Sequence, residues 1–325
     1  MKTEILTMLR EQDGYVSGQE ICNKFGVSRT AVWKAINQLK EMGYEIEAVS
    51  NKGYHLVSAP DVMNEAELKS LLHTQWAGEH VFYYNSIDST NTKAKELAEQ
   101  GYPGGTLVVS DQQIAGRGRR GRNWESPAGT GIFMTLMLKP DINPNNASML
   151  TLVAALATAR AIAEVTGADA KIKWPNDIVV NGKKICGILT EMSAQFDYIS
   201  HIVIGIGINV HNESFPEEIR QTASSLLLEC GRRFHRADII ESFLRHFEEC
   251  YAKFLETEDL ELLLKDYNAL LVNMQKQVKV LDPKEPFEGK AIGITKKGEL
   301  IVDTWESRKL VSSGEVSVRG IYGYV

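Results

Sequence analysis

Cysteine is scarce in this chain and gives it no staple. Cys22, Cys186, Cys230 and Cys250 are widely spaced and form no C-x-x-C pair. That excludes a disulfide framework or a zinc motif, and the thiols read as reduced, as in the cytosol. Long apolar runs are missing too. The most apolar stretch, residues 149–165, carries Arg160 and Glu164 and reads as a core helix, too short and too polar to span a bilayer. The first residues include Glu4 and no apolar run of the signal-peptide kind. Together these point to a cytoplasmic protein with no membrane partner. Positive charge is not in excess: 36 Lys and Arg stand against 42 Asp and Glu, a net −6, so any nucleic-acid site has to be a local patch. Repeats and low-complexity tracts are absent. What is there is 325 residues, 43% hydrophobic and 24% charged, enough for two or three domains with a real core.

Residues 1–64 read as one such domain. Ile5, Leu6, Met8 and Leu9 give its start an amphipathic helical pattern. Ser17, with Glu20 three residues on, is an N-cap signal; Ile21, Cys22 and Phe25 then face inward and Gly26 ends the helix. Ser28 caps the next helix, whose Val32, Ile36 and Leu39 recur at i, i+4 and i+7 and mark its buried face. Two helices joined by Phe25-Gly26-Val27 make a helix-turn-helix. After Gly43 the period changes to two, Asn51-Lys52-Gly53 turns, and Tyr54-His55-Leu56 returns, a hairpin where a wing would stand. Ser28, Arg29, Thr30, Lys34, Asn37 and Gln38, with Lys52 on the wing, are the candidate DNA contacts. Residues 1–60 carry seven basic and seven acidic side chains, so a winged helix that serves only protein contacts is the alternative. Val57-Ser58-Ala59-Pro60 reads as a linker.

Residues 65–270 mix strand and helix signals. A helix is expected at 65–73 and a strand at 81–84; Asp88-Ser89-Thr90-Asn91 then opens a helix through Ala94, Leu97 and Ala98. Four small polar residues at a strand-to-helix junction offer hydroxyls, an amide and free N–H groups to a ligand; plain N-capping is the simpler explanation. The next strand leads through Asp111-Gln112-Gln113 to Gly116-Arg117-Gly118-Arg119-Arg120-Gly121. The letters fit G-x-G-x-x-G, but a dinucleotide fingerprint needs a helix to open on the last glycine. Asn123-Trp124-Glu125-Ser126-Pro127 is loop chemistry instead. With Arg122 the loop holds four guanidiniums. Their repulsion makes it costly to order without an anion, and their geometry suits carboxylate and phosphate oxygens; a solvated basic loop is the alternative. Residues 132–138 read as a buried strand, 149–165 as an Ala-rich helix on the sheet, and 171–177 as a strand entering a proline turn. Asn181-Gly182 is a type I′ signal between two more strands. Alternation puts Lys184, Cys186 and Ile188 on one face and Lys183 and Ile185 on the other. Lys184, close to Asn176 and Asp177, is either a site residue or an edge lysine that opposes aggregation. Gly205 and Gly207 permit close backbone approach on a strand that ends near Asn209. Residues 237–255 and 259–270 read as amphipathic helices. Beyond 271, short alternating strands around Val278, Phe287, 291–294, 300–302, 310–311 and 316–318, with turns at Lys297-Gly298 and Ser313-Gly314, suggest a small β-barrel.

The arginine loop, Lys173-Trp174-Pro175-Asn176-Asp177, Lys184 seven residues later and Gly205-Ile206-Gly207-Ile208-Asn209 occur in that order. As a set they resemble the biotin–protein ligases, and the winged helix in front resembles their bifunctional bacterial form, the biotin operon repressor. The resemblance covers essentially the whole chain. It implies a winged helix-turn-helix at 1–64, a central α/β (α+β) ligase domain with a mixed sheet at 65–270, and a small SH3-like β-barrel at 271–325. It implies activation of biotin with ATP and Mg2+ to biotinyl-5′-AMP, and transfer of biotin to a lysine of biotin carboxyl carrier protein. It also implies repression at operator DNA by a homodimer that biotinyl-5′-AMP promotes. Ser89, Thr90, Asn91 and Gln113 would hold the biotin rings, with Gly116, Arg117, Gly118, Arg119, Lys184 and Gly187 completing that site. Arg119, Arg120, Arg122, Trp124, Lys173, Asn176, Asp177, Lys184 and Asn209 would hold ATP and the adenylate, Trp124 covering the adenine and Asp177 meeting the metal through Mg-ATP. Lys184 and Arg119 would act in catalysis. A sensor that binds without catalysing, and a lipoate ligase of related fold, are the other readings. The retained Lys184 and arginines argue against the first, the winged helix and Gly-Arg loop against the second.

Overall fold

The computed structural model describes residues 1–195, 198–282, 285–313, 317–320 and 323–325. The chain divides into two units, residues 1–73 with 235–241, and 74–234 with 242–325.

The first unit contains α1 (Lys2–Glu11), α2 (Gly18–Phe25), α3 (Arg29–Glu41), β1 (Glu45–Val49), β2 (Gly53–Ser58) and α4 (Glu65–Leu71). The helices start where their caps are. Ser17 Oγ accepts from the Glu20 amide at 3.0 Å and Ser28 Oγ from the Ala31 amide at 3.2 Å. Gly26 ends α2 at φ 64°, a left-handed position that favours a residue without Cβ. Val32, Ile36 and Leu39 share one core with Ile5, Leu6, Leu9 and Ile21. Helices α2 and α3 are therefore the helix-turn-helix, and β1 and β2 pair antiparallel as the wing. Helix α4 is tied in by a buried carboxylate: Glu67 accepts from Arg10 and from the Tyr44 hydroxyl, both at 2.6 Å. Burial, and then the Glu67 charge, push the Tyr44 hydroxyl far above its ordinary pKa.

The second unit is organised by a seven-stranded sheet. Its elements run β3 (Val81–Tyr84), α5 (Thr90–Glu99), β4 (Leu107–Ser110), β5 (Gly131–Leu138), α6 (Leu150–Thr166), β6 (Lys171–Lys173), β7 (Asp177–Val180), β8 (Lys183–Gln195), β9 (Tyr198–Asn209), α7 (Leu226–Cys230), α8 (Arg236–Thr257) and α9 (Leu264–Leu270). Residues 236–241 of α8 count with the first unit. The order across the sheet is β3-β4-β5-β9-β8-β7-β6. Strands β3 and β4 run parallel and the other neighbours antiparallel, so the sheet is mixed. All of β5 is buried, as a strand covered on both faces must be. Residues 259–270 do not form one helix: the 3₁₀ turn Glu261–Leu263 precedes α9.

The apolar stretch corrects one expectation. Counted with the 3₁₀ turn before α6, Pro144–Thr166 is 23 residues long and its most apolar 18-residue window has mean hydropathy 1.5, enough on those two counts to cross a membrane. Its apolar surface is otherwise satisfied, since 72% of its most apolar window is buried inside the protein.

The chain ends in a five-stranded antiparallel sheet of β10 (Gln277–Leu281), β11 (Phe287–Ile294), β12 (Leu300–Asp303), β13 (Arg308–Val311) and β14 (Ser317–Gly320), in the order β13-β12-β11-β10-β14. Of the expected turn and last strand, Gly314 and Val316 lie outside the described residues.

Candidate active site

A cavity of about 560 Å³ opens on one face of the mixed sheet. Its floor is β8 and β9, where Gly187 pairs with Gly207 and Leu189 with Gly205. A Cβ on Gly207 would stand 2.7 Å from the Trp124 indole, one on Gly187 2.9 Å from the same ring, and one on Gly205 2.2 Å from Asn91 Oδ1. The missing side chains let Trp124 and Asn91 lie directly on backbone.

One wall is the start of α5. Ser89, Thr90 and Asn91 are buried, and plain capping does not explain them: Ser89 is the N-cap by position, yet its hydroxyl makes no capping bond. Gln113 takes that role. Its Oε1 accepts from the Thr90 amide at 2.8 Å and from Thr90 Oγ1 at 3.0 Å. Thr135 of β5 lies 2.8 Å from Thr90 Oγ1 and donates to Asn91 Oδ1 at 2.7 Å. Asn91 Nδ2 donates to Glu191 at 2.8 Å and to the Leu189 carbonyl at 3.3 Å. Burial would raise the Glu191 carboxyl, but the bonds from Lys95 and Asn91 outweigh it and hold the group below its ordinary pKa. The wall is thus a fixed set of amide and hydroxyl groups.

The arginine loop forms the roof. No helix opens on Gly121. The loop closes as a hairpin instead, with Trp124 N donating to Gly116 O at 2.9 Å and Gly118 N to Arg122 O at 2.7 Å. Its tip is the single 3₁₀ turn Arg119–Gly121, where Arg120 has φ 60°. These bonds give the loop a backbone frame. Arg117, Arg120 and Arg122 are exposed and Arg119 half-buried. Arg119 donates to Asn176 Oδ1 at 2.9 Å and to the Ser313 carbonyl. Burial lowers its pKa, and the Asp177 charge opposes that.

The charged centre sits between roof and floor. Trp174-Pro175 is a cis peptide; Asn176 follows it, and Asp177 opens β7. The turn into β8 has Asn181 at φ 50° and Gly182 at φ 77°, as a type I′ turn requires. Strict alternation along β8 then fails. Val179 pairs with Lys184 and Ile178 with Cys186, so Ile185 is an extra, bulged residue. Lys184 therefore shares the face of Gly187 rather than that of Cys186 and Ile188; its Nζ is 3.1 Å from where a Gly187 Cβ would stand. Because β8 lies between β9 and β7, Lys184 is no edge lysine. It pairs with Asp177 Oδ1 at 2.7 Å and lies 5.3 Å from the Trp124 ring. Lys173 is buried, 4.0 Å from the Tyr324 ring, and burial lowers its pKa to about 8 despite Asp177 nearby. Burial alone would raise Asp177, but the Lys184 and Lys173 ammoniums outweigh it and hold its carboxyl below the ordinary value. The Tyr324 hydroxyl donates to Asp177 Oδ2. Asn209 closes the far end, donating to the Ser224 carbonyl at 3.1 Å. Among the described residues the buried Trp124 indole N–H has no hydrogen-bond partner.

Among the expected biotin and nucleotide residues, only Gly116 does not line this cavity. It lies beneath the loop, where a Cβ would meet the Trp124 carbonyl at 2.4 Å. Sequence reading missed Thr135, Glu191, Arg319 and Tyr324. Thr135 left a signal, as the polar break in Ile132-Phe133-Met134-Thr135-Leu136. Asp177 is paired with Lys184 through Oδ1 and accepts from Tyr324 at Oδ2. No group of three or more His, Cys, Asp and Glu able to hold a metal occurs among the described residues.

In the first unit Ser28, Arg29, Thr30, Lys34, Gln38 and Lys52 are exposed and Asn37 is half-buried. Ser28 is occupied as a cap, and Arg29 is held by Gln19 at 2.8 Å. Trp33, which sequence reading left unassigned, stands 57% exposed on α3.

Over 308 residues, 94% of either chain, the protein is 42% identical to the bifunctional ligase/repressor BirA of Bacillus subtilis. It belongs to the bifunctional ligase/repressor family. The Biotin/lipoate A/B protein ligase family model matches residues 83–209, an HTH domain model residues 2–55, and a Biotin protein ligase C terminal domain model residues 276–319. The ligase/repressor BirA of Escherichia coli is 28% identical over 303 residues, 93% of this chain and 92% of that protein. A solved structure of the Aquifex aeolicus biotin protein ligase in complex with biotin and ATP superposes with a TM-score of 0.66 at 31% identity, covering 74% of this chain and 99% of the other. The ligase/repressor family joins an enzyme to a DNA-binding module, and the matched models fall on the two units accordingly.

Proposed function

We propose that this ligase/repressor activates biotin with ATP to biotinyl-5′-AMP, transfers biotin to a lysine of biotin carboxyl carrier protein, and represses biotin genes with the adenylate as corepressor. The observation that carries the reading is Lys184. A bulge turns it from the core face of β8 to the cavity, beside Asp177 and under Trp124.

In the first step the biotin carboxylate attacks the α-phosphate of ATP and pyrophosphate leaves. Two anions must meet, so the site has to cancel charge before the reaction rather than during it. Lys184 and Arg119 do this from fixed positions, as the catalytic pair. Ser89, Thr90, Asn91 and Gln113 orient the biotin rings, with Gly187 leaving them room on the floor and Gly116, Arg117 and Gly118 shaping the loop over the carboxylate. Arg120, Arg122, Lys173, Asn176, Asp177 and Asn209 surround the nucleotide, and Trp124 covers its adenine. Magnesium travels on the ATP phosphates, not in a protein cage. In the second step the carrier amine attacks the anhydride carbonyl and AMP leaves; the closed loop keeps water off the anhydride meanwhile.

For repression, the adenylate adds to biotin a phosphate and an adenine that the arginine loop and Trp124 can grip. A ligand shifts an equilibrium only by its differential affinity, so the adenylate is the stronger promoter of a homodimer whose two winged helices meet two operator half-sites. Arg29, Thr30, Lys34, Asn37, Gln38 and Lys52 face the DNA, with Ser28 at the helix start. We assign the domains as 1–64, 65–270 and an SH3-like 271–325, in a cytoplasmic protein. The test is pyrophosphate release on mixing with ATP and biotin. Lys184→Ala is expected to cut that rate on the order of a hundredfold or more without unfolding the protein; near-normal turnover removes Lys184 from the mechanism.

A further inference from the structure

We propose that Tyr324, the next-to-last residue, is a positioning residue for adenylate formation: through Asp177 it fixes the place of the Lys184 ammonium. The proposal rests on the reading of Lys184 given above. It names a residue that none of the matched motifs contains, since the C-terminal domain model stops at residue 319.

Asp177 is a single buried carboxylate between two lysines. Left alone, it could turn either oxygen to either ammonium, and Lys184 would follow. Tyr324 removes that freedom. Its hydroxyl binds Oδ2, which leaves Oδ1 to Lys184 at 2.7 Å. Its ring meanwhile covers the second ammonium, with Lys173 Nζ 4.0 Å from the ring centroid. Burial, and then the Asp177 charge, push the Tyr324 hydroxyl far above its ordinary pKa, so it stays a donor at any working pH.

The tail is seated, not draped. Gly320 bridges to Gly323, and a Cβ on Gly320 would stand 2.1 Å from the Val325 carbonyl oxygen. Val325 Cγ2 packs 3.1 Å from where a Cβ on Gly182 would be, at the turn that leads into β8 and Lys184. The last residues therefore hold the charged pair from two sides, the carboxylate directly and the hairpin at its tip.

Tyr324→Phe keeps the ring against Lys173 and removes only the bond to Asp177. Adenylate formation, followed by pyrophosphate release, is expected to lose between about ten- and a hundredfold in kcat, the range a small misplacement of a reacting group costs. KM for ATP and for biotin should stay within about twofold, because the hydroxyl removed is bonded to Asp177 and the Tyr324 ring that lines the cavity is kept. Removing residues 324–325, which also takes away the ring over Lys173 and the Val325 contact at the Gly182 turn, should lose at least as much in kcat. Asp177→Asn should lose activity as well, and adding Tyr324→Phe to it should cost nothing more, since the hydroxyl acts only through that carboxylate. A wild-type kcat in Tyr324→Phe, a loss confined to KM, or losses that multiply in the double variant would each overturn the proposal. Melting of each variant is followed alongside, and a kcat loss matched by a collapsed melting temperature in both Tyr324 variants would equally count against it. Failure of the underlying reading is separately visible, as normal turnover by Lys184→Ala.

Discussion

Gly205→Ala should destabilise the protein far more than one methyl group suggests. The added Cβ would stand 2.2 Å from Asn91 Oδ1, 2.9 Å from its Cγ and 3.0 Å from its Nδ2. An ordinary side chain at that distance would swing aside. Asn91 cannot, because its oxygen accepts from Thr135 at 2.7 Å and its nitrogen donates to Glu191 at 2.8 Å. To make room, at least the Thr135 bond must break, taking from the buried Asn91 Oδ1 the donor it has there, while Thr135 keeps Thr90 Oγ1 at 2.8 Å. That costs about 1–3 kcal/mol, and the overpacking itself about 1–3 kcal/mol more. At roughly 2–4 °C per kcal/mol for a domain of this size, the melting temperature should fall by about 4–24 °C. Gly118→Ala is the control: its Cβ would meet nothing nearer than the Arg122 carbonyl oxygen at 3.5 Å, and φ is −115°. It should change stability by less than about 0.5 kcal/mol. Calorimetric melting of both variants at one pH decides the matter. If Gly205→Ala melts with the wild type, or Gly118→Ala falls as far, the polar wall is not the rigid network described.

Arg119→Gly removes the guanidinium that ties the loop to Asn176 and the Ser313 carbonyl, so adenylate should escape early and acylate bystander lysines; an unchanged adenylate half-life with labelling confined to the carrier contradicts this. Lys173 gives a pH dependence: burial lowers its folded pKa from 10.5 to about 8, so between those values the unfolded chain binds more protons and stability rises with pH, the penalty being fully present below about 8. An anionic ligand should raise that pKa, so binding near pH 8–9 takes up protons and adenylate affinity falls as pH rises; titration calorimetry in buffers of different ionisation enthalpy measures the uptake, and proton-neutral binding rules the linkage out. Deleting residues 1–64 should abolish DNA binding and leave adenylate formation standing, and a truncated protein that folds yet releases no pyrophosphate would show the division to be wrong.

Much of the architecture could be read from the chain because it rests on local chemistry. Ser17, Gly26 and Ser28 cap their helices by bonds to neighbours a few residues away, and Asn181-Gly182 makes its turn by its own conformational preference. The site residues were named differently, from a resemblance carried by short motifs in a fixed order. What escaped depends on distance or on a break in period. The bulge at Ile185 reverses the face of Lys184, and nothing in Lys183-Lys184-Ile185-Cys186 marks it; only the opposing strand does. Thr135 and Glu191 became site residues because Asn91, 44 and 100 positions away, needed partners. Tyr324 meets Asp177 across 147 positions, and a terminal Gly323-Tyr324-Val325 carries no periodicity from which to infer a destination.

The unpartnered indole of Trp124 gives the site a built-in optical probe. Of the five tryptophans, Trp33 and Trp305 are 57% and 98% exposed and emit from water whatever the cavity holds, and Trp76 packs against Phe247 and Tyr251, away from the cavity lining. Trp174 also borders the cavity, but its N–H is already bonded to the Gly298 carbonyl at 2.9 Å. Trp124 lies against the bare backbone of Gly187 and Gly207 with an ammonium 5.3 Å from its ring, and an indole's emission colour follows the charges and hydrogen bonds around its excited dipole. Any molecule that takes up its N–H, lifts it from the glycines or draws Lys184 away must change that colour. Occupancy of the site can then be timed in unlabelled protein, one ligand at a time, by light alone.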